Sequence, residues 1–425
     1  MGRLKRITSI GIAISLLATT AMADITYIKA GVLINSKDGN LIKDAVITVE
    51  DDKILAVGGY NTSIPQGATI IDLSNSTVMP GFMDMHTHIV ANLDDYFFAG
   101  YFQSPHRAVI GGVVNAKKTL LAGFTTIRNV GAADYQDVAI RNSINAGEIP
   151  GPRMAVSGPS LGITGGHCDN NSLNHDFEER SDGIADGPWG ARLKVRTSVK
   201  YDVDLIKFCA TGGVFSKGTK VGQTQYTLEE MEAIVDEAHT HGRKVAAHAH
   251  GNEGIKRAIT AGVDSIEHAS FLDDEAIQMA IEHGTAFSMD IYNTEYTLAE
   301  GAANGVPEEN INKERKVGTR QRESFSMAVK AGAKMVLGTD AGVYPHGGNG
   351  KQFVRMVRFG MTPMQAIQSA TVNTAELLGW ADKVGQIAPG FYADIVAVHG
   401  NPLENISELE DVDFVMKGGK VYKSK

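Results

Sequence analysis

Two rhythms of hydrophobic and polar positions divide this chain. Residues 25–80 fall into short β-rich runs broken by turn signals, "TYIKAGVLI", "AVITVEDDKILAVGG" and "ATIIDLSNSTVMPG". The C-terminal stretch returns to that rhythm in "GQIAPGFYADIVAV" and "DVDFVMKGGKVYK". Two β-rich ends around a long middle predict one β-sandwich built from both termini, residues 24–80 with 384–425.

The middle, residues 81–383, alternates apolar runs of strand length with helical periodicity. The strand candidates are "GFMDMHTH", "GFTTIRNV", "RMAVSG", "DLIKFCA", "KVAAHAH", "SIEHAS", "TAFSMDI" and "KMVLGTDA". Helix signals stand between them. Thr227 and Glu230 form a capping box that opens one helix, closed by Gly242, and Thr362, Pro363 and Gln365 open another. Eight regular strand–helix units predict an α/β fold of the (β/α)8 TIM-barrel type, with chemistry at the C-terminal ends of the strands. A doubly wound open sheet is the weaker alternative. No glycine-rich phosphate fingerprint follows any strand, which removes support for nucleotide binding.

The first 23 residues fit neither rhythm. Arg3, Lys5 and Arg6 precede the short apolar run "ITSIGIAISLLATT", and Ala21 and Ala23 sit where a signal peptidase reads small residues. This predicts a signal peptide over 1–23 and an exported protein, periplasmic or secreted, with no membrane span after its removal. Losing those three cations moves the net charge from -9 to -12. So acidic a chain argues against nucleic acid and anionic membrane as partners. Cys168 and Cys209 are its two cysteines. An oxidising compartment would allow one disulfide, but the apolar run around Cys209 favours a free buried thiol.

Polar residues then appear where strands end. His86 and His88 close the first strand, two apart and therefore on one side. Lys207 lies in the fourth, His248 and His250 at the fifth, His268 at the sixth and Asp340 at the eighth. One such histidine is ordinarily structural; seven such residues in one barrel mouth are not. Imidazoles with a carboxylate suit zinc or a similar divalent ion. Lys207 is the difficulty, because an ammonium would repel the metal and be costly to bury. Carbon dioxide resolves this: a lysine carbamate is an anionic, bidentate ligand able to bridge two ions.

The segments "GFMDMHTH", "AAHAHG", "SIEHA" and "GTDAG", with the lone strand-four lysine, together resemble the amidohydrolase superfamily. The likeness is nearest to its imidazolonepropionase-related branch, which includes metal-dependent Xaa-Pro and Xaa-Arg/Lys dipeptidases. "ITGGHCDN", "KFCATGGVFS", "SMDIYNTEYT" and "GTDAGVYPHG" look most like the Xaa-Arg/Lys group. The resemblance implies two divalent ions, expected to be zinc. His86, His88 and Asp340 would hold the first and His248 and His268 the second, with carboxylated Lys207 bridging them. Imidazolonepropionases are similar in fold but lack that lysine. Deaminases of the superfamily place a Glu beyond the fifth-strand His, where this chain has "HAHG" and His250.

The expected reaction is hydrolysis of a small peptide or amide by a hydroxide shared between the two metals. Asp340 would carry the proton to the leaving amine, and His167, in "ITGGHCD", would donate to the developing oxyanion. His250 is the candidate for binding a substrate carboxylate. Asp290, with Glu295 and Glu300, would read a cationic side chain, and Tyr292 and Tyr344 would wall the pocket. Release of a C-terminal Arg or Lys is the leading expectation. Amidase action on N-acyl amino acids or ochratoxin-like toxins, and Xaa-Pro dipeptidase action, are the alternatives. A non-catalytic binding barrel is disfavoured by the full ligand set. Self-association into a homo-oligomer is compatible with the sequence.

Overall fold

The computed structural model describes residues 24–91 and 104–425, so the expected leader, 1–23, lies outside the described residues. The N-terminal strands are β1 (Ile25–Ile34), β2 (Leu41–Glu50), β3 (Lys53–Gly59) and β4 (Thr69–Pro80). Eight strands follow at the predicted places: β5 (Phe82–Thr87), β6 (Phe124–Asn129), β7 (Arg153–Val156), β8 (Leu205–Cys209), β9 (Lys244–Ala249), β10 (Ser265–His268), β11 (Ala286–Ser288) and β12 (Met335–Val336). β13 (Ile395–Val398), β14 (Phe414–Lys417) and β15 (Lys420–Ser424) complete the chain.

The two ends meet in one seven-stranded sheet, in the order β15-β14-β13-β4-β1-β2-β3. β4 against β13 is the joint, with Val78 opposite Ala397 and Met79 opposite Val396. Alternate residues Ile28 and Ala30, Ala45, Ile47 and Val49, and Ile395 and Ala397 share one core with Phe414 and Met416. The expected sandwich is therefore a single continuous sheet. Its β3 edge returns to the residues before β13, where Ile54 N donates to Phe391 O at 2.9 Å. Ile54 of β3 and Phe414 and Met416 of β14, near opposite ends of the strand order, share that core, so one sheet encloses it.

The middle strands form two parallel sheets, β5-β6-β7 and β12-β11-β10-β9-β8. β5, β6 and β8 are buried along their whole length, as parallel strands covered by helices must be. Hydrogen bonds tie the sheets at both seams. Leu161 N donates to Lys207 O at 2.8 Å on one side, and Met85 N to Leu337 O and Asp340 N to His86 O, each at 2.8 Å, on the other. Both predicted capping boxes are present, on the helices Leu228–Thr240 and Pro363–Ser369. No described helix is long and apolar enough to cross a membrane.

The cysteines depart from expectation. Cys168 and Cys209 form a disulfide with their Cα atoms 6.0 Å apart. The chain after β7 folds back on β8, where Leu161 bridges Phe208, and carries Cys168 to that strand. A separation of 41 residues conceals this neighbourhood from the sequence.

Candidate metal centre

His86, His88, Lys207, His248, His268 and Asp340 all line one cavity. His86 Nε2 and His88 Nε2 lie 3.4 and 3.3 Å from Asp340 Oδ1, so the residues assigned to the first metal converge on one point. Beside them, ligand atoms of His248, His250 and His268 all lie within 4.8 Å of one another. The sequence assigned two imidazoles to this second cluster; the structure brings three.

Backbone geometry makes the convergence possible. His268, Ala269 and Asp340 occupy the left-handed region, at φ +69°, +45° and +58°. Non-glycine residues hold that conformation at a cost, which tertiary contacts must offset. At His268 the departure breaks strand alternation. Glu267 and His268 thus both serve His86, Glu267 by a hydrogen bond and His268 with its ring centroid 4.9 Å from that of His86.

The imidazoles are oriented through Nδ1. His86 Nδ1 donates to Glu267 Oε2 at 2.9 Å, and His268 Nδ1 to Asp290 Oδ1 at 2.8 Å. His250 Nδ1 pairs with Ser270 Oγ and His167 Nδ1 with Ser216 Oγ, both at 2.7 Å. The carboxylate contacts fix His86 and His268 as Nδ1–H tautomers and leave Nε2 for a ligand, whereas a serine hydroxyl can itself donate to Nδ1 of His250 and His167. Burial, and then Lys207, pushes His86 down to about 4. Burial and neighbouring imidazoles hold His248 and His250 well below the ordinary histidine value. Burial opposes the charge on His268 too, but Asp290 outweighs it and raises that ring. Glu267, although buried, is kept ionised by Arg128 Nη2 at 2.6 Å and by His86.

Two atoms test whether metal belongs here. His248 Nε2 is buried with no hydrogen-bond partner, as befits a nitrogen awaiting a ligand. Lys207 is 3% exposed and has no ion pair or side-chain hydrogen bond among the described residues. Burial drives its amine down to about 8, so a fraction is uncharged and nucleophilic near neutrality. The donor set fits divalent metal, and the unpartnered lysine fits a carbamate.

The remaining candidates divide. His167 stacks on His248 with ring centroids 4.1 Å apart, close to where the sequence reading put it. Gly213 allows this packing, because a Cβ there would lie 2.5 Å from His167 Cε1 and 2.7 Å from His248 Cε1. Asp290, expected to contact substrate, has both oxygens engaged. Oδ1 accepts from His268 and Gln321, and Oδ2 from Asn293. His250, expected to bind a substrate carboxylate, lines the cavity beside His248 and His268, and burial and His268 hold it well below the ordinary histidine value. Tyr292 stands behind the cavity wall, edge-on to Tyr344, with its hydroxyl accepting from Lys351 Nζ at 3.3 Å. Glu295 is paired with Arg355 at 2.8 Å.

Sequence reasoning passed over Glu267, Arg128, Asn293, Gln321 and Glu314. Glu267 sits beside His268 in "SIEHAS" and was legible as a buried acid in an apolar strand. Asn293, Gln321 and Glu314 lie on helices, where ordinary polar residues give no signal. Asn293 Nδ2 donates to Asp340 Oδ2 at 3.0 Å as well as to Asp290, linking the two clusters.

Residues 77–422 match the profile of the amidohydrolase family. The chain belongs to that family. This amidohydrolase is 32% identical to the ochratoxinase of Aspergillus niger over a 433-residue alignment covering 96% of the chain and 88% of the relative. The imidazolonepropionase of Streptomyces griseus subsp. griseus is 25% identical, over 84% of the chain and 86% of the relative. Among solved structures, a Xaa-Pro dipeptidase with bound methionine in its active site superposes with a TM-score of 0.88 at 39% identity, covering 94% of this chain and all of that one. The amidohydrolase is accordingly a hydrolytic enzyme acting on C–N bonds, with a TIM-barrel-like fold.

Proposed function

We propose that this amidohydrolase is an exported dipeptidase, built on a closed (β/α)8 barrel, that releases a C-terminal Arg or Lys from dipeptides or short peptides with the help of two zinc ions. The observation that carries the reading is one cavity where two ligand sets flank a buried, unpartnered lysine. Hydrogen bonds across both seams between the parallel sheets support barrel closure. The signal-like leader and the Cys168–Cys209 disulfide support export to an oxidising compartment.

His86, His88 and Asp340 would hold one ion, and His248 and His268 would hold the other. Lys207 would bridge them after its uncharged Nζ adds to carbon dioxide, giving a carbamate and releasing a proton. Divalent ions bound there lower the pKa of water and polarise an amide carbonyl. The chain's own groups do the rest. Asp340, steered by Asn293 through Oδ2, takes the proton from the attacking water and passes it to the departing amine nitrogen. His167 is anchored on Ser216 through Nδ1, which leaves Nε2 to donate to the carbonyl oxygen as charge builds. His250 offers an N–H to the substrate carboxylate.

Similarity to the ochratoxinase and to the Xaa-Pro dipeptidase favours a second reading, the same chemistry on a non-peptide amide or on Xaa-Pro. A panel of dipeptides together with ochratoxin, assayed with zinc-loaded enzyme, separates the two. Arg or Lys end groups are expected to exceed norleucine and Pro by at least roughly a hundredfold in kcat/KM, since an unmatched polar site discriminates more strongly than shape. Equal rates across Arg, Met and Phe, or a preference for Pro, would defeat the basic-residue assignment.

A further inference from the structure

Three carboxylates line the cavity: Asp290, Asp340 and Glu314. Asp290 is tied to His268, and Asp340 faces His86 and His88. Glu314 serves neither cluster. It is 5% exposed; Oε1 accepts from Thr294 Oγ1, and Oε2 has no hydrogen-bond partner among the described residues. No nearby cation hydrogen-bonds Glu314 among the described residues, although Arg322 keeps a buried Nε without a partner and its charge reaches the carboxyl. Lys313 Nζ donates to Ser216 O and pairs with Glu309, and Arg322 leans toward Glu295 at 3.6 Å.

Placement gives this acid a purpose. Glu314, Val317 and Gln321 recur at the spacing of one helix face on Glu308–Ala331, and all three line the cavity. Gln321 touches Asp290 and His268 O, so it marks the metal end. Glu314 stands two turns earlier, about 10 Å along the axis, roughly the reach of an extended long side chain from a reacting carbonyl. Gly318 lets the supporting helix come close, because a Cβ there would lie 2.2 Å from Thr294 Cγ2. Val214, Phe215, Val317 and Val343 supply apolar wall to the same cavity. Apolar walls with one free acid match an aliphatic stem ending in a cation.

We propose that Glu314 receives the guanidinium or ammonium of the released residue's side chain, while the valines and Phe215 enclose its methylenes. The assignment rests on the dipeptidase reading above. Burial, reinforced by Asp290 and only partly offset by Thr294, His268 and Arg322, pushes this carboxyl up to about 7, and a substrate cation in contact with it would offset the remainder. An α-ammonium would offer the same charge without the stem, which leaves the apolar walls unused.

The test compares wild type, Glu314→Gln and Glu314→Asp, all zinc-loaded, on Ala-Arg, Ala-norleucine and N-acetyl-Ala-Arg. Glu314→Gln should lower the Arg-to-norleucine ratio of kcat/KM at least tenfold, and Glu314→Asp should restore part of it. Calorimetric binding of free arginine should weaken at least tenfold in Glu314→Gln, a readout that survives loss of turnover. A wild-type preference for Arg that Glu314→Gln leaves intact overturns the role of Glu314 while sparing the dipeptidase reading. Absence of any preference in wild type overturns both. If acetylation abolishes the effect of Glu314→Gln, the acid reads the α-ammonium and the side-chain assignment fails.

Discussion

Replacing Asp290 by Asn keeps the volume and removes the charge from a residue that joins both ligand clusters. Its Oδ1 accepts from His268 Nδ1 at 2.8 Å and from Gln321 at 2.9 Å, and its Oδ2 from Asn293 at 3.1 Å. Burial opposes the ionisation of Asp290, but His268 holds its carboxyl below the ordinary carboxylate range, so the bond to His268 is charge-assisted. An amide at 290 can keep its oxygen toward His268 only by turning its NH2 toward the Asn293 NH2. Asn293 must then face a donor with a donor or rotate. Rotation would bring its oxygen against Asp340 Oδ2, 3.0 Å away, and break the contact from Thr297 Oγ1 at 3.2 Å. Both clusters should feel the change. Loss of an outer contact to a ligating histidine typically weakens metal binding by about 10- to 100-fold, or roughly 1.4 to 2.7 kcal/mol. Competition with a chromophoric chelator would give the zinc dissociation constants of wild type and Asp290→Asn. Both ions bound within twofold of wild type would refute the view that this carboxylate supports the metal centre.

Lys207→Ala should bind fewer ions and lose nearly all turnover, with partial rescue by short carboxylic acids; elemental analysis showing one ion at full activity would refute the bridging role. Reducing Cys168–Cys209 should lower the urea midpoint, because closing a loop across 41 residues is worth about 4 kcal/mol in the chain-entropy account. An unmoved midpoint with both thiols titrated free would contradict that contribution. The carboxyl of Glu314 sits at about 7 in the folded chain against an ordinary 4.5, so the folded state binds more protons within that window. Stability contributed by this group is therefore present below pH 4.5 and falls as pH rises to 7, by up to about 3 kcal/mol. Glu314→Gln should be more stable than wild type at pH 8 and nearly equal to it below pH 5 in denaturant unfolding; a difference independent of pH would refute the burial cost.

The sequence by itself determined the α/β class, the two-ended β-rich region, the eight strand positions and the ligand candidates. Each of these is a local signal. Strand periodicity and helix caps are written over a few residues, and a histidine pair two apart declares its shared side. Asp340 and Lys207 were legible because charged groups in apolar runs have no cheap explanation. Tertiary structure decided everything that depends on which distant residues meet. The turn of the chain after β7 placed Cys168 beside Cys209 and made a disulfide of an expected free thiol. Left-handed backbone at His268 and Asp340 broke the alternation from which orientation would be read. Asp290 looked like a pocket acid but faces a histidine, whereas Glu314, one of many helical acids by composition, meets the cavity with a free oxygen. A carboxylate's role is set by its neighbours within a few ångströms, and around this cavity those neighbours come from strands and helices far apart in sequence.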